Sequence, residues 1–326
     1  MQLLRRSCVV LGGGGFLGIN LCRHLSASGY SVRAFGHQGL FPTALTNIDF
    51  RPGDFSDRTA VANALQGSEI AFHLVHSSVP YSSNLDIAAE IRENLIPSLA
   101  FLDLACSAGV KRVVFLSSGG TIYGRSKQIP TPETAPTDPI TAYGISKLAI
   151  EKYIALYQLN YGLEYRILRV ANPFGAYQIP IKRQGLIAEI ISRAMNSEAV
   201  NIWGDGTVVR DFVFVDDVST ALEIAAVDSG DERIFNIGSG VGHSVRDVLR
   251  AIENSLRLKL NIIWKGERAV DVPISTLSIR RAQEMLGWSP KTSFESGIEQ
   301  TISWWRDNAK IIKHAMSTPA RMKTER

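Results

Sequence analysis

The sequence predicts an α/β fold: a doubly wound parallel sheet with helices on both faces, joined to a smaller C-terminal lobe. Three observations predict it. Short apolar runs alternate with longer stretches of helical period through the first half of the chain, which is how successive strand-helix-strand units read, and such units place their strands in parallel. The first of those runs passes directly into a glycine-rich turn and then into a helical pattern. From about Asn172 the texture changes to short strands among Gly, Pro and single aromatics, the mark of a second lobe built from several insertions. At 326 residues, 45% hydrophobic and 20% charged, the chain has the length and composition for such a core.

The first strand is expected over Cys8 to Leu11. Arg5 and Arg6 precede it as they would a secretory leader, but so short an apolar run leading into Gly12 is too brief for one. Phe16, Ile19, Cys22 and Leu25 then recur at helical spacing, so this helix lays one stripe on the sheet. Strands follow at Val32 to Phe35 and at Ile70 to Leu74. Leu95, Leu99, Leu102 and Cys106 mark a helix ending at Gly109; Val113 to Leu116 is the next strand, a long helix opens at Tyr143, and Tyr165 to Val170 closes the series. Residues 1–171 are thus read as the sheet-bearing domain, with returning segments near 207–238, and residues 172–326 mainly as the second lobe. Within the lobe, short strands are expected near Val200 to Trp203 and Phe212 to Val215, and a helix runs from Phe294 through Ile298 and Ile302 to Trp304 and Trp305, whose rings serve packing. Thr318 to Arg326, polar and basic without periodicity, is expected to be a mobile tail. There is no internal repeat, and no stretch is long and apolar enough to span a bilayer.

Lysine and arginine total 35 against 31 acids, a formal charge of +4 that slightly favours an anionic ligand. Much of that excess lies around Lys310 to Arg326, so it does not point to nucleic acid. Cys8, Cys22 and Cys106 form an odd, scattered set, which fits a reducing compartment, the cytoplasm. His73 and His76 stand three apart at a strand end with no cysteine or carboxylate cluster beside them, so they are read as pocket lining or packing and no metal is expected.

The run Leu11 to Gly18 places Gly12, Gly15 and Gly18 at G-x-x-G-x-x-G spacing between a strand and a helix. Glycines there let the backbone approach a diphosphate, and the helix that starts at Phe16 and Leu17 turns its unpaired N–H groups toward the negative charge. A dinucleotide site commonly carries an acid about twenty residues on, to hold the adenosine ribose. Here that place is Gly36-His37-Gln38. NAD is the expected cofactor, and because Gly36 tolerates a 2′-phosphate, NADP stays open. Asp54, followed by Phe55, offers either a carboxylate for the adenine amino group or a turn aspartate.

Ser117-Ser118-Gly119-Gly120-Thr121 follows the strand ending at Leu116, and Tyr143-Gly144-Ile145-Ser146-Lys147 opens a helix. Positions four apart share a helical face, so Tyr143 and Lys147 point the same way. A free tyrosine is phenolate in only about one molecule per thousand at pH 7. A cationic lysine beside it stabilises the phenolate and makes it a usable base for hydride chemistry.

From about Cys8 to Trp305 the chain resembles the extended short-chain dehydrogenase/reductase superfamily, and within it the NAD-dependent epimerase/dehydratase family of nucleotide-sugar epimerases of the UDP-glucose 4-epimerase type. The resemblance implies a Rossmann-type first domain, a nicotinamide dinucleotide, a UDP-sugar substrate and a homodimer. It makes Tyr143 the catalytic base and Lys147 the residue that holds the nicotinamide ribose. It adds Leu74, Asn94 and Ser117 to the cofactor side. On the substrate side it implies that Asn172 meets the diphosphate, that Arg210 and Arg268 bind phosphate, that Asp271 lies near the nucleoside and that Trp203 lies along uracil. Guanidinium forks match diphosphate oxygens, which gives the arginines a physical reason. One departure is central: the family's catalytic serine or threonine falls on Gly119, which has no hydroxyl. Thr121 is expected to supply the contact to the sugar 4-oxygen, with Ser118 the alternative.

The family's 4,6-dehydratases and decarboxylases need carboxylates where this chain has Gly120 and Thr121, so elimination lacks its proton donor. Oxidation and reduction at C4 remain. A 4-epimerase is the first expectation, a 4-keto nucleotide-sugar reductase using NAD(P)H the second, and a non-catalytic nucleotide-binding protein on the same fold the third. Ser275 falls where the family's bulky aromatic limits space near C2, which adds UDP-GlcNAc and UDP-GalNAc to UDP-Glc and UDP-Gal as expected substrates.

Overall fold

The structure, a computed structural model, describes residues 6–80, 82–180, 185–266 and 272–317. In chain order its first half runs β1 (Ser7–Leu11), α1 (Phe16–Ala27), β2 (Ser31–Gly36), β3 (Asp49–Pro52), α2 (Arg58–Leu65), β4 (Ile70–His73) and α3 (Ile87–Glu90). A π-helical turn, Ile91–Leu95, then leads into α4 (Ile96–Ser107), followed by β5 (Arg112–Ser118), α5 (Ala142–Tyr161) and β6 (Glu164–Val170). The second half carries β7 (Asn172–Phe174), α6 (Leu186–Met195), β8 (Val200–Trp203), β9 (Val209–Phe214), α7 (Val215–Val227) and β10 (Ile234–Ile237). It ends with β11 (Gly242–Ser244), α8 (Val245–Leu256), β12 (Ile262–Lys265), β13 (Ile274–Ser275), α9 (Arg280–Leu286), α10 (Phe294–Asp307) and α11 (Ala309–Ser317).

Seven strands make one sheet in the order β10-β6-β5-β4-β1-β2-β3, every pair parallel. Strand order reverses beside β1, which opens a crevice at the carboxyl ends of β1 and β4, where ligands bind in sheets of this kind. Alternate residues feed two cores. Val10, Phe72, Val114 and Leu168 pack under α1 and α7, while Val9, Leu11, Val113 and Phe115 pack under α2, α4 and α5. Burial on both faces explains why the central strands read as unbroken apolar runs.

Differences from the sequence reading have local causes. β3 is an exposed edge strand without an apolar run, so it did not announce itself, and the short β10, which falls in the segment read as returning near 207–238, comes back from the second lobe to complete the sheet. The strand expected at Phe212 to Val215 starts at Val209, and Val215 already begins α7. β4 stops at His73, leaving Leu74 just beyond it. The second lobe holds β9 flanked by β11, β13 and β7, and a separate β8–β12 pair. The expected tail, Thr318 to Arg326, lies outside the described residues.

Candidate active site

β1 ends in the glycine turn. Gly12 has φ +87°, a left-handed conformation that favours glycine, and a Cβ on Gly18 would lie 2.1 Å from the Gly12 carbonyl oxygen, so α1 can seat against the turn only with glycine there. Gly15 is the N-cap of α1 and provides no side-chain cap, and no acid stands in the first turn. The first-turn N–H groups and the positive end of the helix therefore meet whatever anion enters. Gly12, Gly15, Phe16, Leu17 and Gly18 all line a cleft of about 720 Å³, and Leu74 joins them from the end of β4.

Across the cleft, Asn172, Trp203 and Arg210 line the wall. The Asn172 side chain donates to the Asp211 carbonyl oxygen (2.8 Å), and Arg210 donates to those of Val209 (2.9 Å) and Val272 (2.7 Å), which fixes both in place. Ser275 pairs in register with Arg210 but is not itself in the cleft wall. Arg268 and Asp271 lie outside the described residues.

The Tyr143 pair sits at the end of β5. Thr141 caps α5 by accepting from the Gly144 N–H (3.1 Å), and the first two turns carry Tyr143 and Lys147 inward. Lys147 is buried; its ammonium donates to the Leu116 carbonyl oxygen (2.9 Å) and lies 5.8 Å from the Tyr143 ring centroid. Burial pushes Lys147 down to about 7, against the upward pull of Glu90 and Glu151. Burial likewise pushes the Tyr143 phenol up, Glu90 adds to the rise, and a hydrogen bond with Ser118 opposes both. In the protein alone, then, burial and Glu90 favour the neutral phenol of Tyr143, while Lys147 gives one of its three N–H donors to a backbone carbonyl.

The hydroxyls sort differently from expectation. Ser118 is the one bonded to Tyr143, whereas the Thr121 hydroxyl is buried without a partner. Ser117, expected on the cofactor, donates instead to Glu151, which also takes Arg169 (2.7 Å), so it belongs to a buried network within the core. Gly119 faces Leu277, which fills the space of a side chain there. Asp54 accepts from the Ser56 N–H and hydroxyl (both 2.7 Å) and lies 3.3 Å from His37; those Ser56 bonds hold its carboxyl below the ordinary range. Asp54 thus makes the bonds of a turn aspartate and is not in the cleft wall, and Phe55 packs against His73 and Phe101.

Spacing did not reveal a second polar cluster beside Tyr143. His76 lines the cleft, its ring meets that of Tyr143 edge-on at 4.4 Å, and its Nε2 lies 2.8 Å from the buried Glu90 carboxylate. Glu90 also accepts from the Ser78 hydroxyl. Asn94 accepts from the Ser77 N–H (2.7 Å), leaving its amide nitrogen buried and unpartnered. The partners in these hydrogen bonds lie 12 to 17 positions apart in sequence, so only the fold shows them together. The lining contributed by Gly39, Leu40 and Phe41 after β2 was also missed; no motif marks it. Among the described residues no group of His, Cys, Asp and Glu gathers as metal ligands do, and no helix is long and apolar enough to cross a membrane.

Residues 8–238 match the model of the NAD dependent epimerase/dehydratase family. A solved UDP-glucose 4-epimerase from Thermotoga maritima, with UDP-glucose, superposes with a TM-score of 0.87 at 34% identity, over 93% of this chain and 99% of that one. UDP-glucose 4-epimerase of Mycolicibacterium smegmatis is 30% identical over 312 residues, 93% of this chain and 99% of the relative. A dTDP-4-dehydro-6-deoxyglucose reductase of Escherichia coli is also 30% identical, over 230 residues, 71% of this chain and 72% of the relative.

Proposed function

This chain belongs to the NAD dependent epimerase/dehydratase family, and from that premise we propose that it is a 4-epimerase of UDP-hexoses working through a 4-keto sugar. The observation that carries this reading is the convergence of Tyr143, Ser118 and Lys147 at the end of β5, beside the glycine-turn cleft. The cleft fits NAD: an uncapped helix N-terminus faces it, and buried polar atoms of Asn94 and His76 have no partner in the protein. Gly12 to Gly18 hold the diphosphate, and Leu74 and Asn94 flank the ribose. When bound, NAD supplies the acceptor that takes the C4 hydride and returns it, and its oxidised ring brings the positive charge a phenolate needs.

Tyr143 removes the proton of the 4-hydroxyl and gives it back to the 4-keto oxygen. Since burial and Glu90 favour its neutral form, it is already the proton donor in the reducing half of the cycle. Ser118 keeps the phenol oriented and takes the place of the hydroxyl missing at residue 119; Thr121 offers its unpartnered hydroxyl to the sugar. Arg210 and Asn172 hold the nucleotide diphosphate while the keto sugar turns, so either face meets the same hydride. Glu90 does not revive elimination, because its oxygens are occupied by His76 and Ser78.

A second reading, a 4-keto nucleotide-sugar reductase, is favoured by the Escherichia coli relative and by the missing ribose acid at Gly36. One experiment separates the two. The purified protein is denatured, the released dinucleotide identified, and UDP-Glc/UDP-Gal and UDP-GlcNAc/UDP-GalNAc interconversion assayed without added cofactor. Interconversion supports the epimerase; turnover that requires added NAD(P)H and a 4-keto sugar supports the reductase. Neither interconversion nor NAD(P)H-dependent turnover with any sugar overturns both in favour of a binding protein.

The assembly is read as a homodimer. Ile145, Leu156 and Leu159 lie exposed along α5, with Ile87, Ile91 and Ile96 exposed on the adjoining helical segment, and such apolar faces are costly to leave in water. Sedimentation at micromolar concentration tests it. The free thiols of Cys8, Cys22 and Cys106 support a cytoplasmic setting.

A further inference from the structure

We infer that His76, oriented by Glu90, accepts a hydrogen bond from a hydroxyl of the ribose at the reactive end of the dinucleotide. The inference rests on the reading above that a dinucleotide fills the cleft, and it gives Glu90 the role of a positioning residue.

A carboxylate can only accept, so the His76 nitrogen 2.8 Å from Glu90, Nε2, carries the proton. In the neutral ring Nδ1 is then an acceptor. The ring stays neutral because burial, and next the charge of Lys147, push His76 down to about 4, more than Glu90 raises it. That acceptor has no partner in the protein, although the side chain is only 6% exposed. An unmade bond of this kind is costly, yet the ring is held in place by a buried carboxylate that Ser78 holds in turn.

Place decides the ligand. Leu74 and Val75, just before His76, are the residues a Cβ on Gly12 would touch, at 3.4 Å, so one end of this loop abuts the glycine turn. The other end meets Tyr143 at 4.4 Å. A diphosphate at the start of α1 and a nicotinamide at Tyr143 are joined by a ribose, and residue 76 lies along that span. Glu90 and Asn94 stand at the two ends of the π-helical turn, a feature often found at functional sites, and both reach this loop. With its oxygen fixed by the Ser77 N–H, Asn94 presents an unpartnered donor beside the His76 acceptor. A ribose diol, which donates and accepts, matches such a pair.

The test uses the full chain with NADH bound, whose fluorescence reports displacement by ADP-ribose, which carries this ribose, or by ADP, which lacks it. His76→Gln keeps a nitrogen for Glu90 but has no counterpart of Nδ1, and His76→Phe keeps a ring against Tyr143 with no acceptor. His76→Asn places an oxygen near the Nδ1 position. The expected result is about tenfold weaker ADP-ribose binding in the Gln and Phe variants with ADP binding unchanged, and ADP-ribose binding within about twofold of wild type in the Asn variant. Unchanged ADP-ribose binding in the Gln or Phe variant, or equal loss of both ligands in all three, overturns the inference. Failure of the wild type to bind NADH instead overturns the proposed function, so the two are told apart.

Discussion

Leu277 occupies the space that a side chain at residue 119 needs: a Cβ built on Gly119 would lie 2.4 Å from Leu277 Cδ1 and 2.9 Å from the Arg169 carbonyl oxygen. The missing hydroxyl is therefore not a simple deletion from an otherwise unchanged site. Gly119→Ser is expected to cost about 1–3 kcal/mol through overpacking and to leave turnover no higher than wild type. In a Leu277→Ala background the part of that cost due to Leu277 should vanish, leaving the contact with the Arg169 carbonyl oxygen, since the two side chains compete for one volume. Urea melts of the four proteins check the coupling; additive costs would refute it.

Lys147 is placed at the expense of stability. Its folded pKa of about 7 lies below the unfolded value near 10.4, so the unfolded chain binds the proton more tightly. The resulting penalty is absent above about pH 10.4, grows as the pH falls toward 7 and is constant below. Lys147→Met removes it. Turnover should be lost while the melting temperature at pH 7, without added dinucleotide, rises by roughly 5 °C or more. A lower melting temperature would show that the bond to Leu116 and the attraction to Glu90 and Glu151 outweigh desolvation.

Acid should weaken the fold before the carboxylates titrate. Burial lowers His73 well below its ordinary range and, with Lys147, lowers His76 to about 4. Both rings stay neutral in the folded protein while the unfolded chain takes up protons near pH 6.5. The stability is thus full above about 6.5 and is lost as the pH falls from there through about 4, with His76 alone accounting for on the order of 3 kcal/mol. His73 packs among Phe55, Phe101 and Phe115, so His73→Phe should flatten the fall between pH 6.5 and 5. Identical denaturant midpoints at pH 7 and 4.5 in the wild type would sink this account.

What the sequence disclosed follows a physical divide. β1, β4 and β5 were legible because burial on both faces demands unbroken apolar runs, and the glycine turn was legible because Gly12 and Gly18 answer steric demands no other residue meets. β3 was not, since an edge strand need not be apolar. In the site, Tyr143 and Lys147 could be read because one helix holds both. The sharing of Tyr143 with Ser118, and the Glu90–His76 cluster, arise where separate elements meet. Charge effects were the least legible: four-residue spacing places a lysine near a phenol but says nothing of how dry that lysine is.

Ser275 offers the last test, on sugar choice. It pairs with Arg210 across β13 and β9, and Arg210 lines the cleft that we assign to the nucleotide sugar. On the proposed reading a small side chain there would leave room for an N-acetyl group at C2, and excluding that group by a bulky aromatic is a steric effect, worth more than the few-fold preference that added apolar contact usually yields. Ser275→Tyr should therefore depress interconversion of UDP-GlcNAc and UDP-GalNAc at least tenfold while leaving that of UDP-Glc and UDP-Gal within about threefold. Paired kcat/KM measurements on both sugar types check it. Equal losses on the two would mean that the tyrosine acts through Arg210 and the diphosphate they share, and the steric argument would fall.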